Sequence, residues 1–281
     1  MVPSPPIPIK PSRSRQPRPS ADARPTRARR GVALLPSLFT MGNMFCGYAC
    51  IVYSLRGDFE TAAPFIGFAI VLDMLDGRIA RLTGTTSAFG MELDSLADVI
   101  SFGIAPAIMS YAWGLSALGR LGMFSGFLFV SAAALRLARF NIQSAAGGDK
   151  RYFVGMPSPA AAAIPAATVY FFETPILDYR EALPVLAMVL LPALLMVSTI
   201  RFRSFKTIDL QVRRPYTVLL LIAAAIMAVA THPRFVLVAM AYTYLASAFI
   251  GLAISRIRHR NQPPSPAKTD AAEPAADEHP S

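Results

Sequence analysis

Between about residue 33 and residue 255 the chain repeats apolar stretches of near 20 residues, separated by short polar connections. A helix needs about 20 such residues to cross roughly 30 Å of hydrocarbon, and only helices or closed barrels satisfy their own backbone hydrogen bonds there. This recurrence argues against a water-soluble globular core and for an all-α fold, a polytopic membrane helix bundle. Eight transmembrane helices are expected, near 33–55, 60–82, 90–112, 121–141, 156–172, 182–199, 215–231 and 234–255, within a range of six to eight. Charged residues make up 16% of the chain, against about 25% in soluble proteins. The fifth stretch is short and interrupted by Pro157, Pro159 and Pro165. Its ends are expected to be partly re-entrant or unwound, which a membrane tolerates only where protein or water satisfies the backbone.

The same pattern divides the chain into a basic tail over residues 1–30, a membrane domain over 31–260 and a second tail over 261–281. The first is rich in Pro, Ser and Arg and carries no apolar run of the signal-peptide kind. Both tails are expected to be disordered. The net charge of +10 admits nucleic acid, anionic lipid or membrane orientation as explanations. Orientation suffices. With eight spans, 23 of the 27 Lys and Arg residues fall on the side shared by the two tails, and only Arg56, Arg120, Arg180 and Arg234 fall opposite. The positive-inside rule makes that side cytoplasmic, and no nucleic-acid partner is needed. Cys46 and Cys50 stand four apart inside an apolar run and read as packing residues, not as a disulfide or metal site. No inverted repeat of the transporter kind is visible.

Four aspartates break the apolar pattern: Asp73, Asp76, Asp94 and Asp98. A carboxylate at the centre of a membrane helix costs about 2.5–3.5 kcal/mol on insertion scales, so four of them require a compensating partner. At about 100° per residue, Asp76 lies about 60° from Asp73 and Asp98 about 40° from Asp94. Each pair points one way from its helix, and a short turn around Gly84 to Ser87 makes the two helices run in opposite directions. Four carboxylates gathered in this manner cannot all remain ionised without a cation. Hard oxygen ligands at this density suit Mg²⁺ or Mn²⁺. Gly77, Ala80 and Arg81 share the face of Asp73, while Arg78 and Glu92 turn away. Gly77 and Ala80 leave backbone uncovered, and Arg81 offers a fork matched to phosphate oxygens. Carboxylates, bare backbone and an arginine together describe a pyrophosphate site. The competing explanations are structural ion pairs with arginines and a proton relay in a transporter.

From Asp73 the chain reads DMLDGRIARLTGTTSAFGMELDSLAD. This resembles the D-x2-D-G-x2-A-R-x8-G-x3-D-x3-D signature of the CDP-alcohol phosphatidyltransferases. Asp73, Asp76, Gly77, Ala80, Arg81, Gly90, Asp94 and Asp98 occupy its fixed positions without omission. Further words resemble the serine-accepting branch of that family: Leu35 to Thr40 followed by Gly42-Asn43 and Cys46-Gly47, Ala134 to Asn141, Tyr152 to Ala160, and Ser198 to Lys206. Thr199 departs from the Asn that many such enzymes carry at this point. The resemblance spans most of the membrane domain and leaves the tails uncovered.

It implies an integral membrane enzyme moving a phosphatidyl group from CDP-diacylglycerol to the hydroxyl of L-serine, with CMP released. Two divalent ions, Mg²⁺ or Mn²⁺, are implied on Asp73, Asp76 and Asp94, with Asp98 completing the second site. The resemblance assigns Asp98 as the general base, with in-line displacement and no covalent intermediate. Gly77, Ala80, Arg81 and Gly90 are implied on the CDP-diacylglycerol side. Asn43 reads either as a contact to that nucleotide or as a helix–helix hydrogen bond. Arg136, Arg139 and Asn141 suit the acceptor amino acid, although the arginines equally suit the phosphate of glycerol 3-phosphate or inositol phosphate, or helix-end anchoring. Ser158, beside a proline break, is either an acceptor contact or a partner for freed backbone. A homodimer in a cell inner membrane is implied, with the site and both tails cytoplasmic. The alternatives are the same chemistry on glycerol 3-phosphate, inositol phosphate or choline, and a cation- or proton-coupled transporter.

Overall fold

The computed structural model describes residues 27–84, 87–145, 152–198, 201–203, 220, 223–224 and 227–260. The expected tails therefore lie almost wholly outside the described residues, as does most of the expected 215–231 span. The remaining seven expected spans coincide with helices. These are α1 (Arg27–Leu55), α2 (Phe59–Thr83), α3 (Ala88–Asp98) continuing into α4 (Ala105–Trp113), α5 (Arg120–Ala145), α6 (Ser158–Phe171), α7 (Tyr179–Val197) and α8 (Pro233–Arg260). Among the described residues, four stretches are long and apolar enough to cross a membrane unaided: Ser37–Leu55, Ala88–Trp113, Arg120–Gln143 and Tyr179–Val197. Helix α2 has 25 residues, ample length for a span, but its last half carries the aspartates and two arginines. Helix α6 has 14 residues, roughly 21 Å of helix, so it is as short as its prolines suggest. Pro159 sits in its first turn and Pro165 inside it, while residues 155–157 before it are not helical.

The core is built largely from alanine. Ala62, Ala63 and Ala69 of α2, Ala105 and Ala107 of α4, Ala132 and Ala133 of α5, and Ala161, Ala162, Ala166 and Ala167 of α6 are all buried. Small side chains let helix backbones approach closely, which is how helices associate where lipid removes the hydrophobic drive. Large apolar side chains such as Phe45, Phe68, Phe127 and Leu194 point outward, as a lipid-facing surface requires. Cys46 and Cys50 are free and buried, with the Cys50 thiol 3.9 Å from the Met109 sulfur; they pack helices together.

Helix α1 is the hub. It packs extensively against α2 and also against α3 and α4, whereas direct contact between α2 and α3 is slight. Between α3 and α4, residues Val99–Ile104 form a π-helical turn, a widened turn that offsets helical register and recurs at functional sites. Helix α1 crosses this turn at backbone contact. A Cβ on Gly47 would stand 2.8 Å from the Ser101 Cα, closer than real side chains come, and the Ser101 hydroxyl donates to the Asn43 carbonyl at 2.8 Å.

Caps define the α2–α3 reversal. Helix α2 ends on Gly84, in the left-handed region at φ 63° with its N–H on the Ala80 carbonyl. Helix α3 starts on Ser87, whose hydroxyl accepts from the Gly90 N–H at 2.9 Å. Both follow ordinary capping chemistry. A two-stranded antiparallel ribbon departs from a purely helical chain. It joins β1 (Tyr152–Val154) to β2 (Arg201–Arg203), with Phe153 opposite Phe202. At the other end of α2, Arg234 at the start of α8 bonds Glu60 at 2.8 Å, pairs with Glu173 and lies over the Tyr170 ring.

Candidate active site

Asp73 and Asp76 lie in the last three turns of α2, Asp94 and Asp98 on α3 beyond the Gly84 reversal. The chain turn and the two helical spacings bring Asp73, Asp94 and Asp98 together. Each presents an oxygen within 4.8 Å of the other two. Asp76 falls outside that 4.8 Å grouping, although its charge acts on Asp73 and Asp94. It is buried, and its Oδ2 accepts a hydrogen bond from the hydroxyl of Thr40 on α1. Asn43, one turn further along α1 and fully buried, donates its amide N–H to Asp98 Oδ1 at 3.3 Å. The acidic centre is thus walled by three helices, with α1 contacting carboxylates of both others.

Structural ion pairing does not account for these groups. Among the described residues the ion pairs involve Arg234 with Glu60 and Glu173, at the far end of α2. Asp94 Oδ1 and Asn43 Oδ1 are buried with no hydrogen-bond partner among the described residues. A buried acceptor left unsatisfied costs about 1–3 kcal/mol, more when charged. A divalent cation held by Asp73, Asp94 and Asp98 would remove that cost for Asp94. Three carboxylate oxygens within 4.8 Å of one another could converge on one divalent ion. The donor set, all hard carboxylate oxygen, fits Mg²⁺ or Mn²⁺ chemistry.

The neighbouring signature residues have the properties their positions require. Arg81 is exposed, and its guanidinium nitrogens lie 3.9 Å from where a Gly77 Cβ would be. The arginine therefore lies along the backbone that Gly77 leaves bare. Glu92 and Arg78 are exposed. Gly90 sits in the first turn of α3, where a Cβ would come within 3.0 Å of the capping Ser87 hydroxyl.

The four residues considered for the acceptor divide. Arg136 of α5 donates to the Ser158 hydroxyl at 2.6 Å and is near enough to Asp73 and Asp98 for its charge to act on both. These two therefore stand beside the acidic centre. Arg139 instead donates to the Val197 carbonyl at the end of α7 at 3.2 Å, and Asn141 to the Ser95 hydroxyl of α3 at 2.9 Å. Those two bonds tie helices together. Sequence reasoning misses Thr40, Ser95 and Ser101. Their only signal is a hydroxyl facing inward from an apolar helix, which becomes distinctive once the partner helix is known.

A polytopic bundle that converges three carboxylates inside its apolar layer defines an integral membrane enzyme with an acidic, cation-suited centre. A sequence model of the CDP-alcohol phosphatidyltransferase family matches residues 33–200, and the chain belongs to that family. Members of the family generally depend on divalent metal. A CDP-diacylglycerol–serine O-phosphatidyltransferase of Helicobacter pylori (strain ATCC 700392 / 26695) is 43% identical over 180 residues, covering 62% of this chain and 74% of that relative. The enzyme of the same name from Mycobacterium leprae is 42% identical over 142 residues, covering 48% of this chain and 47% of the relative. An archaetidylserine synthase of Methanothermobacter thermautotrophicus is 42% identical over 130 residues, covering 46% and 54%.

Proposed function

We propose that the chain transfers the phosphatidyl group of CDP-diacylglycerol to the hydroxyl of L-serine, giving phosphatidylserine and CMP. The carrying observation is the convergence of Asp73, Asp94 and Asp98 in a chain that is 43% identical over 180 residues to a CDP-diacylglycerol–serine O-phosphatidyltransferase. Residues 31–260 constitute the catalytic membrane domain between two tails.

Asp73, Asp94 and Asp98 hold divalent cation, Mg²⁺ or Mn²⁺, and Asp76 with its anchored carboxylate contributes to a second ion. Bound there, the cations supply Lewis-acid charge against the pyrophosphate oxygens and the departing phosphate. Arg81 adds a guanidinium along the bare backbone of Gly77 and Ala80, where the diphosphate approaches, and Gly90 opens the start of α3. Asn43 serves this site through Asp98, whose Oδ1 it holds. That hydrogen bond fixes the Asp98 carboxylate while leaving Oδ2 to take a proton. The serine hydroxyl oxygen attacks the phosphorus that bears diacylglycerol, and its proton passes to Asp98. The phosphorus–oxygen bond to CMP breaks in line, with no enzyme-bound intermediate. Arg136, oriented by Ser158, pairs with the serine carboxylate; Arg139 and Asn141 shape this pocket by holding α5 against α7 and α3.

The charge distribution supports an orientation with the site and both tails cytoplasmic, and the family resemblance implies a cell inner membrane. We assign a homodimer as the working unit. The deciding experiment supplies the purified chain with labelled CDP-diacylglycerol and, separately, serine, glycerol 3-phosphate, inositol phosphate and choline. Phosphatidylserine with stoichiometric CMP is expected from serine alone. Product from another alcohol but not serine reassigns the acceptor, and solute flux without CMP release points to a transporter.

A further inference from the structure

We propose that Thr40 is a positioning residue of the cation site, acting through Asp76. This rests on the metal-using function proposed above and extends it to a residue outside the eight-position acidic signature.

Thr40 is 2% and Asp76 5% exposed, so no solvent competes for their hydrogen bond. The hydroxyl donates to Asp76 Oδ2 across 36 positions of chain, linking α1 to α2, the most extensively packed helix pair among the described residues. A carboxylate offers about four acceptor sites, so one donor fixes its orientation without exhausting it; Oδ1 is left for a cation. The physical need is specific. Asp73, Asp94 and Asp98 crowd within 4.8 Å, and a fourth like charge three residues from Asp73 on the same helix is repelled by that trio. Without a tether, Asp76 gains by rotating away and must be returned each time a cation binds. The Thr40 hydroxyl removes that choice: it keeps the fourth carboxylate beside the trio in one orientation, the condition under which a ligand set binds a metal tightly. Asn43, three residues on, does the same for Asp98. Helix α1 therefore carries no metal ligand of its own, yet presets two of the carboxylates.

The test uses the full chain purified in detergent or nanodiscs. Free Mn²⁺ is read by its electron paramagnetic resonance signal during titration, without substrate. Thr40→Val keeps the side-chain shape and removes the donor; Thr40→Ser keeps the donor. Wild type is expected to bind Mn²⁺, Thr40→Ser to follow within about 2-fold, and Thr40→Val to bind about 10-fold more weakly, the range of one hydrogen bond to a charged group. In turnover assays the Mn²⁺ concentration for half-activation shifts in parallel for Thr40→Val, and its kcat approaches that of wild type at saturating Mn²⁺. Unchanged or tighter Mn²⁺ binding by Thr40→Val overturns the proposal. Equal weakening in Thr40→Ser also overturns it, because packing of the methyl group is then responsible. If Thr40→Val does not elute as a single folded species, Thr40→Ala and Thr40→Cys take its place under the same criteria. Wild-type protein that binds no Mn²⁺ rejects the metal-using function itself, a separate outcome.

Discussion

Arg136 of α5 donates to the hydroxyl of Ser158, the first residue of α6, at 2.6 Å. The bond holds a guanidinium beside Asp73 and Asp98 at the non-helical entry to a helix too short to span alone. In the proposed function this guanidinium is the contact for the acceptor's carboxylate. Ser158→Ala is expected to raise KM for serine about 10-fold, with kcat and the KM for CDP-diacylglycerol little changed, since a hydrogen bond to a charged group contributes about 1.5–3 kcal/mol. Arg136→Lys is expected to lose more, because an ammonium cannot serve Ser158 and a carboxylate in one planar fork. Steady-state kinetics with serine varied at saturating lipid substrate measure both.

Asp98→Asn retains a side chain able to bond Asn43 but cannot accept a proton. The variant is expected to fold and bind CDP-diacylglycerol while turnover falls by at least about 10²-fold, the scale of general-base catalysis. Binding measured in nanodiscs, set against product formation, separates the two effects. Normal turnover would remove Asp98 as the base.

Chelation of divalent cations is expected to abolish transfer, and added Mg²⁺ or Mn²⁺ to restore it. The grouped donors are all carboxylate oxygens, and the single Arg136 charge beside them is too little to offset their mutual repulsion. Activity that persists in excess chelator rejects the metal-assisted chemistry.

Gly47→Val introduces side-chain atoms where a Cβ alone would already stand 2.6 Å from the Ser101 hydroxyl. Overpacking of this kind costs about 1–3 kcal/mol, and it forces α1 off the π-helical turn. A lower unfolding temperature is expected, together with lost turnover, because Asn43 moves with α1. By contrast Arg234→Ala, which removes a partly exposed ion-pair cluster remote from the acidic centre, is expected to lower stability by about 1–3 kcal/mol, because the buried Glu173 Oε1 loses its partner, and to leave activity intact. Thermal unfolding in detergent, run beside the transfer assay, checks the pair.

Much of the site is legible from residue spacing. Helical periodicity places Asp73 with Asp76 and Asp94 with Asp98, and Gly84 with Ser87 forms the reversal the sequence suggests. These are local properties, set by 3.6 residues per turn and by capping preferences. The free, buried cysteines are legible for the same reason. What escapes is every relation across helices. Spacing brings four aspartates to one region, but not that three share a 4.8 Å grouping while Asp76 accepts from Thr40. Two antiparallel helices imply direct contact, yet α1 is packed against both and their own contact is slight. Arg139 and Asn141 look equivalent to Arg136 on paper, and only their partners, the Val197 carbonyl and Ser95, distinguish them.

The sequence by itself determined that this chain enters a membrane as helices and brings acidic side chains with it, because apolar runs of about 20 residues suit helical spans and not barrel strands, and periodicity assigns each residue a face. The tertiary structure decided which carboxylates meet, and which polar groups hold them. Those outcomes depend on close approach of helix backbones at Gly47, on a widened turn at Val99–Ile104 and on alanine-lined contacts, distances that no spacing along one helix encodes.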